Sequence, residues 1–247
     1  MEKYNVGHTE SLAQFEKLRD PGWVCVCRTV FSVFVYTWSM LEVNWLNDYV
    51  FTVDKFLTSS ECDTYIRISE DFGYEDALLT SPQGQVLRQD IRNNGRVIFQ
   101  NDEMAEWLWN RAREVVPHEF DGRAAMGVNE LLRFYRYDPG QQFNWHQDFP
   151  FERDNGEQSY LTFMIYLNDD FEGGETSFED SYSAESFDEF KVTPKQGMAL
   201  FFEHSIHHKG EPVTRGRKYV LRSDIMYASQ EFEYDIDQDE EVEESDW

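Results

Sequence analysis

Two residues apart on one short segment, His146 and Asp148 offer an imidazole nitrogen and a carboxylate oxygen; farther along, His204, His207 and His208 cluster ahead of a lysine, Lys218. Side chains of an extended segment repeat with period two, so residues i and i+2 point the same way. One stretch of backbone can therefore present both donors to a single metal ion, and a histidine from a distant segment can add a third. Two imidazoles and one carboxylate on one face of a metal form the donor set of non-haem Fe(II) sites, with positions left open for a cosubstrate and dioxygen. A bare His-x-Asp pair arises often in solvated turns, so the surrounding segments must carry the reading. By residue type alone, each of His204, His207 and His208 qualifies as the distal donor.

Those segments read as β structure. Ahead of His146, Tyr137-Asp138-Pro139-Gly140 is a strand end followed by a Pro-Gly turn that delivers the histidine to a rim. Residues 131–137, 160–167, 176–178, 190–193, 198–202 and 219–226 are short runs with turn residues between them, a pattern of sandwiches and barrels. In the run 160–167, alternation places Thr162, Met164 and Tyr166 on one face, which is mixed and suits a pocket. Leu161, Phe163, Ile165 and Leu167 lie on the other, which suits a core. Lys218 and Arg222 share a strand face in the same way. Upstream, residues 50–53 read as a strand, and Thr58 with Glu61 reads as a capped start for a helix over residues 62–69. Met104, Trp107, Leu108, Ala112 and Val115 recur at helical spacing, predicting a bracing helix over residues 101–116. Arg92-Asn93-Asn94-Gly95-Arg96 is either a polar turn before the strand at residues 97–99 or a pocket wall.

Several pieces then join in one order: Tyr137-x-x-Gly140, His146-x-Asp148, Gly173-Gly174-Glu175-Thr176, Gly197-x-Ala199-Leu200-x-Phe202, His208-x-Gly210-x-Pro212-Val213 and Lys218. Together, from about Tyr49 to Tyr227, they resemble the Fe(II)/2-oxoglutarate-dependent dioxygenases, in particular the prolyl 4-hydroxylase-like branch. Any one piece is poor support, whereas the joint pattern is specific. The resemblance implies a mainly β fold, a double-stranded β-helix (jelly roll) with flanking N-terminal helices. It implies Fe(II) held by His146, Asp148 and His208, because the His-x-Gly-x-Pro-Val pattern falls on His208 and the expected basic residue stands ten positions on, at Lys218. His204 and His207 then become supporting or structural residues, and no catalytic side chain beyond the metal ligands is implied.

The same resemblance makes Lys218 the partner of the 2-oxoglutarate 5-carboxylate and Tyr137 a hydrogen-bond donor to that cosubstrate. Thr162, Tyr166 and Arg222 are weaker candidates for the pocket. It implies O2 as the oxidant, ascorbate as an accompanying reductant, and hydroxylation with release of succinate and CO2. The substrate would be a peptide or protein, with prolyl hydroxylation as one option, or a small molecule. Halogenases of the superfamily lack the carboxylate ligand, so Asp148 favours hydroxylation. A competing reading is a non-catalytic metal-binding jelly-roll scaffold that recruits a basic partner, but a scaffold has no need of all three donors together with Lys218.

Composition narrows the partners. With 247 residues, 40% of them hydrophobic, the chain can bury a sizeable core as one domain with elaborations. A formal charge of -26 repels phosphate backbones and argues against a nucleic-acid partner. Residues 1–48 form an N-terminal extension of unclear role, 49–228 the dioxygenase domain, and 229–247 an acidic tail expected to be disordered, serving solubility or docking a basic partner. The uncharged stretch 29–41 is shorter than the roughly 20 residues of a spanning helix, and acidic residues precede it where a signal peptide is basic. No membrane span is expected, a weak signal-anchor or an upstream extension being the alternatives. Cys25, Cys27 and Cys62 are odd in number and lack framework spacing, which predicts a reducing, cytoplasmic setting.

Overall fold

A computed structural model describes residues 41–77, 79–81, 84–86, 88, 91–179 and 187–229. The aromatic run beginning at Trp23, with Cys25 and Cys27, and the acidic stretch 231–247 lie outside the described residues. Among the described residues no helix is long and apolar enough to cross a membrane.

Two antiparallel sheets pack over a shared apolar layer. The larger runs in the order Val43–Trp45, Val50–Val53, Ala199–Glu203, Gln158–Tyr166, Lys218–Tyr227, Leu131–Tyr137, Gly95–Gln100, Glu75–Asp76, and Arg123–Val128 pairs with the far end of Lys218–Tyr227. The smaller runs Phe143–His146, His207–Gly210, Thr176–Glu179, Phe190–Val192. From Leu131 onward the chain passes repeatedly from one sheet to the other, and this winding is the double-stranded β-helix. Strand Val43–Trp45 pairs with Val50–Val53, so the large sheet begins ahead of residue 49. Arg123–Val128 escapes the sequence reading because its Ala-Ala-Met-Gly run has little of the β-branched or aromatic character that marks a strand.

Alternation on the long strands sorts the side chains into two layers. Leu132, Phe134, Leu161, Phe163, Ile165, Phe201, Leu221 and Ile225 share one apolar cluster with residues of the two helices. Phe163 and Phe201 stack at 4.7 Å there, and each such buried ring contributes roughly 1.5–3 kcal/mol relative to exposure. Tyr135, Tyr137, Tyr166, Leu200, Phe202 and Val220 point the opposite way, toward Phe178 and Val192 of the small sheet. The site lies on this inner side.

The helices brace the outer layer. Helix Ser59–Phe72 starts at a capping box, in which Thr58 Oγ1 accepts from the Glu61 amide and the Glu61 side chain accepts from the Thr58 amide. Helix Asp102–Ala112 is capped by Asn101. Its end corrects the expectation of a helix to residue 116: the Val115 and Val116 amides share the Ala112 carbonyl, and Val116 precedes Pro117, which disfavours helical backbone before it. Arg111 ties the helices together with two bonds to Glu61, at 2.9 and 2.7 Å. The turn into Ala199–Glu203 needs glycine, since Gly197 has φ +78° and a Cβ there would stand 2.1 Å from the Leu57 carbonyl oxygen.

Candidate active site

The small sheet assembles the metal donors. Strands Phe143–His146 and His207–Gly210 pair with His146 opposite His208, and Asp148 follows just past the strand end. Its carboxylate stands 3.9 Å from His146 Nε2 and 3.6 Å from His208 Nε2. Among the described residues, these three are the group whose ligand atoms all lie within 4.8 Å of one another. His146 Nδ1 donates to the Asn144 carbonyl at 2.7 Å and His208 Nδ1 to the Ile206 carbonyl at 2.9 Å. Each bond fixes the tautomer that leaves the Nε2 lone pair facing the cluster. Burial holds both imidazoles neutral, with pKa values below the ordinary histidine range. Burial pushes the Asp148 carboxyl up, but Arg222 and the Thr162 hydroxyl outweigh it and hold the group ionised. Two neutral nitrogens and one carboxylate are what a divalent iron accepts, so the donor set fits the group.

The other two histidines are occupied elsewhere. His204 uses both ring nitrogens, Nδ1 with Thr162 Oγ1 at 2.9 Å and Nε2 with Ser159 Oγ at 2.8 Å. His207 adjoins His208 on the same strand and so points to the opposite face. There it pairs with Glu179 at 2.7 Å and stacks on Trp145. Of the three candidates for the distal donor, only His208 reaches the His146–Asp148 pair.

Behind the metal donors, the large sheet contributes a cationic pocket. Lys218 pairs in register with Tyr137 and is 3% exposed. Its Nζ donates to the Gly174 carbonyl at 2.6 Å and lies over the rings of Tyr137 and Tyr166. No carboxylate of the described residues pairs with it, and burial brings its pKa down to about 7. One cavity is lined by His146, Asp148, His208, Lys218, Tyr137, Thr176, Met164 and Arg222. Tyr166 stands just behind, its hydroxyl bonded to Thr176 Oγ1 at 2.6 Å. Gly174, at φ +70°, lets the turn come close to the lysine stem, where a Cβ would meet Lys218 Cδ at 3.2 Å.

Arg222 reaches the site too, with Nη2 3.0 Å from Asp148 Oδ2 and 3.2 Å from Asp224 Oδ1. Arg133 also binds Asp224, at 3.0 Å. Tyr135 is buried among these cations, and although burial raises its pKa, Arg92, Arg222 and Arg133 bring it down to about 8. The Arg92 guanidinium is sandwiched between the rings of Tyr135 and Phe143. Its Nε donates to Asn94, while Nη2 is buried without a partner among the described residues.

Of the residues expected in the pocket, Lys218 and Tyr137 line it, Tyr166 backs it, and Thr162 and Arg222 are engaged with the Asp148 carboxylate. Sequence reasoning quoted Thr176 within a matching turn without giving it a role in the site, and did not single out Tyr135, Asp224 or Ser159. Alternation offered a signal for Asp224, two residues past Arg222 on the same strand face, and for Tyr135, two before Tyr137.

Comparison with known proteins agrees with this geometry. Residues 132–223 match the family model described as the 2OG-Fe(II) oxygenase superfamily, a span that contains every residue of the metal cluster and the lysine. The chain is 27% identical over 207 residues to probable prolyl 4-hydroxylase 8 of Arabidopsis thaliana, covering 72% of this chain and 69% of that protein. It is 25% identical over 189 residues to a putative prolyl 4-hydroxylase of Acanthamoeba polyphaga mimivirus, covering 69% and 71%. Among solved structures, a Pseudomonas putida prolyl-4-hydroxylase shares the fold with a TM-score of 0.51 at 16% identity, over 74% of this chain and 93% of that one. A Trichoplax adhaerens prolyl hydroxylase, solved in complex with a hypoxia inducible factor peptide fragment, does so at 0.54 and 17%, over 72% and 84%. Residues 132–223 are thus a 2OG-Fe(II) oxygenase superfamily region, and the chain's homologues in sequence and structure are prolyl 4-hydroxylase-like. The protein is a 2-oxoglutarate-dependent dioxygenase with the His-x-Asp…His triad present.

Proposed function

We propose that this dioxygenase hydroxylates a prolyl residue in a peptide or protein, with Fe(II) on His146, Asp148 and His208 and 2-oxoglutarate on Lys218. The observation that carries the reading is that one cavity holds both the triad and a buried lysine with no carboxylate partner among the described residues. The iron, when bound with 2-oxoglutarate and O2, supplies the oxidising power that turns a C–H bond into C–OH while the cosubstrate becomes succinate and CO2. The chain's own residues bind and orient. Lys218 meets the 5-carboxylate in a charge-assisted bond that typically contributes about 1.5–3 kcal/mol. The Tyr137 hydroxyl, kept protonated because burial pushes its pKa up to about 12, is a donor to the same carboxylate. Thr162 and Arg222 hold Asp148 ionised and oriented.

The prolyl substrate is supported by the names of the relatives. The buried free donor of Arg92 favours a peptide, because a main-chain carbonyl is a suitable acceptor for a guanidinium held between two aromatic rings. A panel of proline-containing peptides, incubated with the protein, Fe(II), 2-oxoglutarate, ascorbate and O2, tests the reading. The expected result is succinate formation in step with a mass gain of one oxygen on a prolyl residue. Succinate release that no peptide stimulates, with oxygen gained only by a small molecule, refutes it.

A further inference from the structure

We propose that His204 is a positioning residue: through a directed hydrogen-bond relay from Phe151 to Ser159 to His204 to Thr162, it sets the orientation of the Asp148 carboxylate. The inference rests on the iron-site reading above and adds to it a residue outside the ligand set. The Phe151 amide lies 2.8 Å from Ser159 Oγ, Ser159 Oγ 2.8 Å from His204 Nε2, His204 Nδ1 2.9 Å from Thr162 Oγ1, and Thr162 Oγ1 2.6 Å from Asp148 Oδ2.

The direction of every proton follows from the two ends. An amide N–H only donates, so Phe151 occupies one lone pair of Ser159 Oγ, and the serine proton is free to go to His204 Nε2 once the proton of that ring is on Nδ1. An ionised carboxylate only accepts, so Thr162 gives its single proton to Asp148 and must accept from His204 Nδ1–H. One neutral tautomer satisfies both demands, with the proton on Nδ1 and the lone pair on Nε2. His146 and His208 also carry the Nδ1 proton, but they spend it on a backbone carbonyl and keep Nε2 free. His204 has neither nitrogen left for a metal.

The same residue also grips Asp148 through the main chain. Its carbonyl accepts from the Asp148 amide at 3.0 Å, and its own amide donates to the Tyr160 carbonyl at 3.0 Å, which anchors the turn to the large sheet. Backbone and carboxylate of the ligand are thus both referred to His204. Ser159 and Thr162 are fully buried and His204 nearly so, at 6%, so a broken link would leave a hydroxyl or a ring nitrogen without water to replace it. Outer partners of this kind decide from which direction a carboxylate meets its metal, and their removal typically costs about 10–100-fold in metal affinity or activity.

The test measures Fe(II) affinity by anaerobic titration, and the visible spectrum of the Co(II)-loaded protein, for the full chain and for His204→Leu, His204→Asn, Thr162→Val and the double variant His204→Leu/Thr162→Val. His204→Leu and Thr162→Val should each weaken Fe(II) binding about tenfold or more and shift the Co(II) bands. The double variant should be no weaker than either single one, because both break one chain. His204→Asn, which keeps a donor where Nδ1 stood, should recover most of the affinity. Wild-type affinity and spectrum in both single variants would overturn the relay, as would fully additive losses in the double variant. If His204→Leu fails to fold, Thr162→Val decides: unchanged affinity overturns the relay, and weakened affinity with recovery in His204→Asn supports it. A wild-type protein that binds no Fe(II), or a His208→Ala variant that binds it as well as wild type, is a different failure and sinks the iron-site reading itself.

Discussion

The two sheets meet at one cavity with opposite chemistry. The small sheet brings lone pairs, from His146 and His208 directly across a strand pair and from Asp148 just beyond. The large sheet brings protons and positive charge, from Lys218, Arg222, Tyr137 and Tyr135 on the inward faces of two neighbouring strands. A molecule with a formal charge of -26 therefore keeps a locally cationic wall, which suits an anionic cosubstrate better than the surface would. The difference also separates what each sheet risks. Metal donors depend on a local register and on two backbone carbonyls that set tautomers. The cationic groups sit on strands whose outer faces build the main core, so their positions are guaranteed by packing.

That contrast breaks most severely if a small-sheet donor is lost. His208→Ala should abolish both stoichiometric Fe(II) binding and succinate formation, while His207→Ala, whose ring faces Glu179 and Trp145, should keep both within a few-fold. Metal content after gel filtration with added Fe(II), read beside turnover, checks the pair. Equal iron in the two variants would remove the metal from the small sheet. On the large sheet, Lys218→Ala should leave iron content unchanged and raise the 2-oxoglutarate KM by about tenfold or more, the loss of one charge-assisted bond. A KM that stays put would shift the anchor to another cation, and a loss of iron would show that the two sheets are not chemically separable.

How far the sequence could carry this depends on the range of each signal. His146 and Asp148 were legible because a period of two is enough to aim them together, and the long strands were legible because Leu161, Phe163 and Ile165 alternate with Thr162, Met164 and Tyr166. The choice among His204, His207 and His208 was not decidable from residue type. It depends on which ring nitrogens find partners, and those partners, Ser159 and Glu179, stand far away in the chain. Thr162 illustrates the limit well: its face was readable, but its engagement with Asp148 follows from the His204 turn packing beside it. Arg92 and Asp224 likewise acquire meaning only once their strands are neighbours.

The finest test of the contrast is a pH dependence that only the large sheet should show. In the free protein burial depresses the Lys218 pKa to about 7, so its ammonium is present below that value and gives way to the neutral amine above it. A bound 5-carboxylate favours the charged form and raises the pKa, so binding above pH 7 must take up a proton, and linkage makes the 2-oxoglutarate Kd rise with pH. Between pH 7 and 8 the protonated fraction of such a group falls about fivefold, and Kd should rise by about that factor. The measurement is anaerobic calorimetry on metal-loaded protein in two buffers of different ionisation heat. Loading the metal first keeps the heat of metal binding itself out of the signal. Lys218→Arg should flatten the profile whatever it does to affinity, because a guanidinium stays charged across this range. A wild-type Kd that is flat from pH 7 to 8, without proton uptake, would mean that Lys218 is already charged in the empty pocket. The carboxylate partner it then requires would have to come from the protein itself.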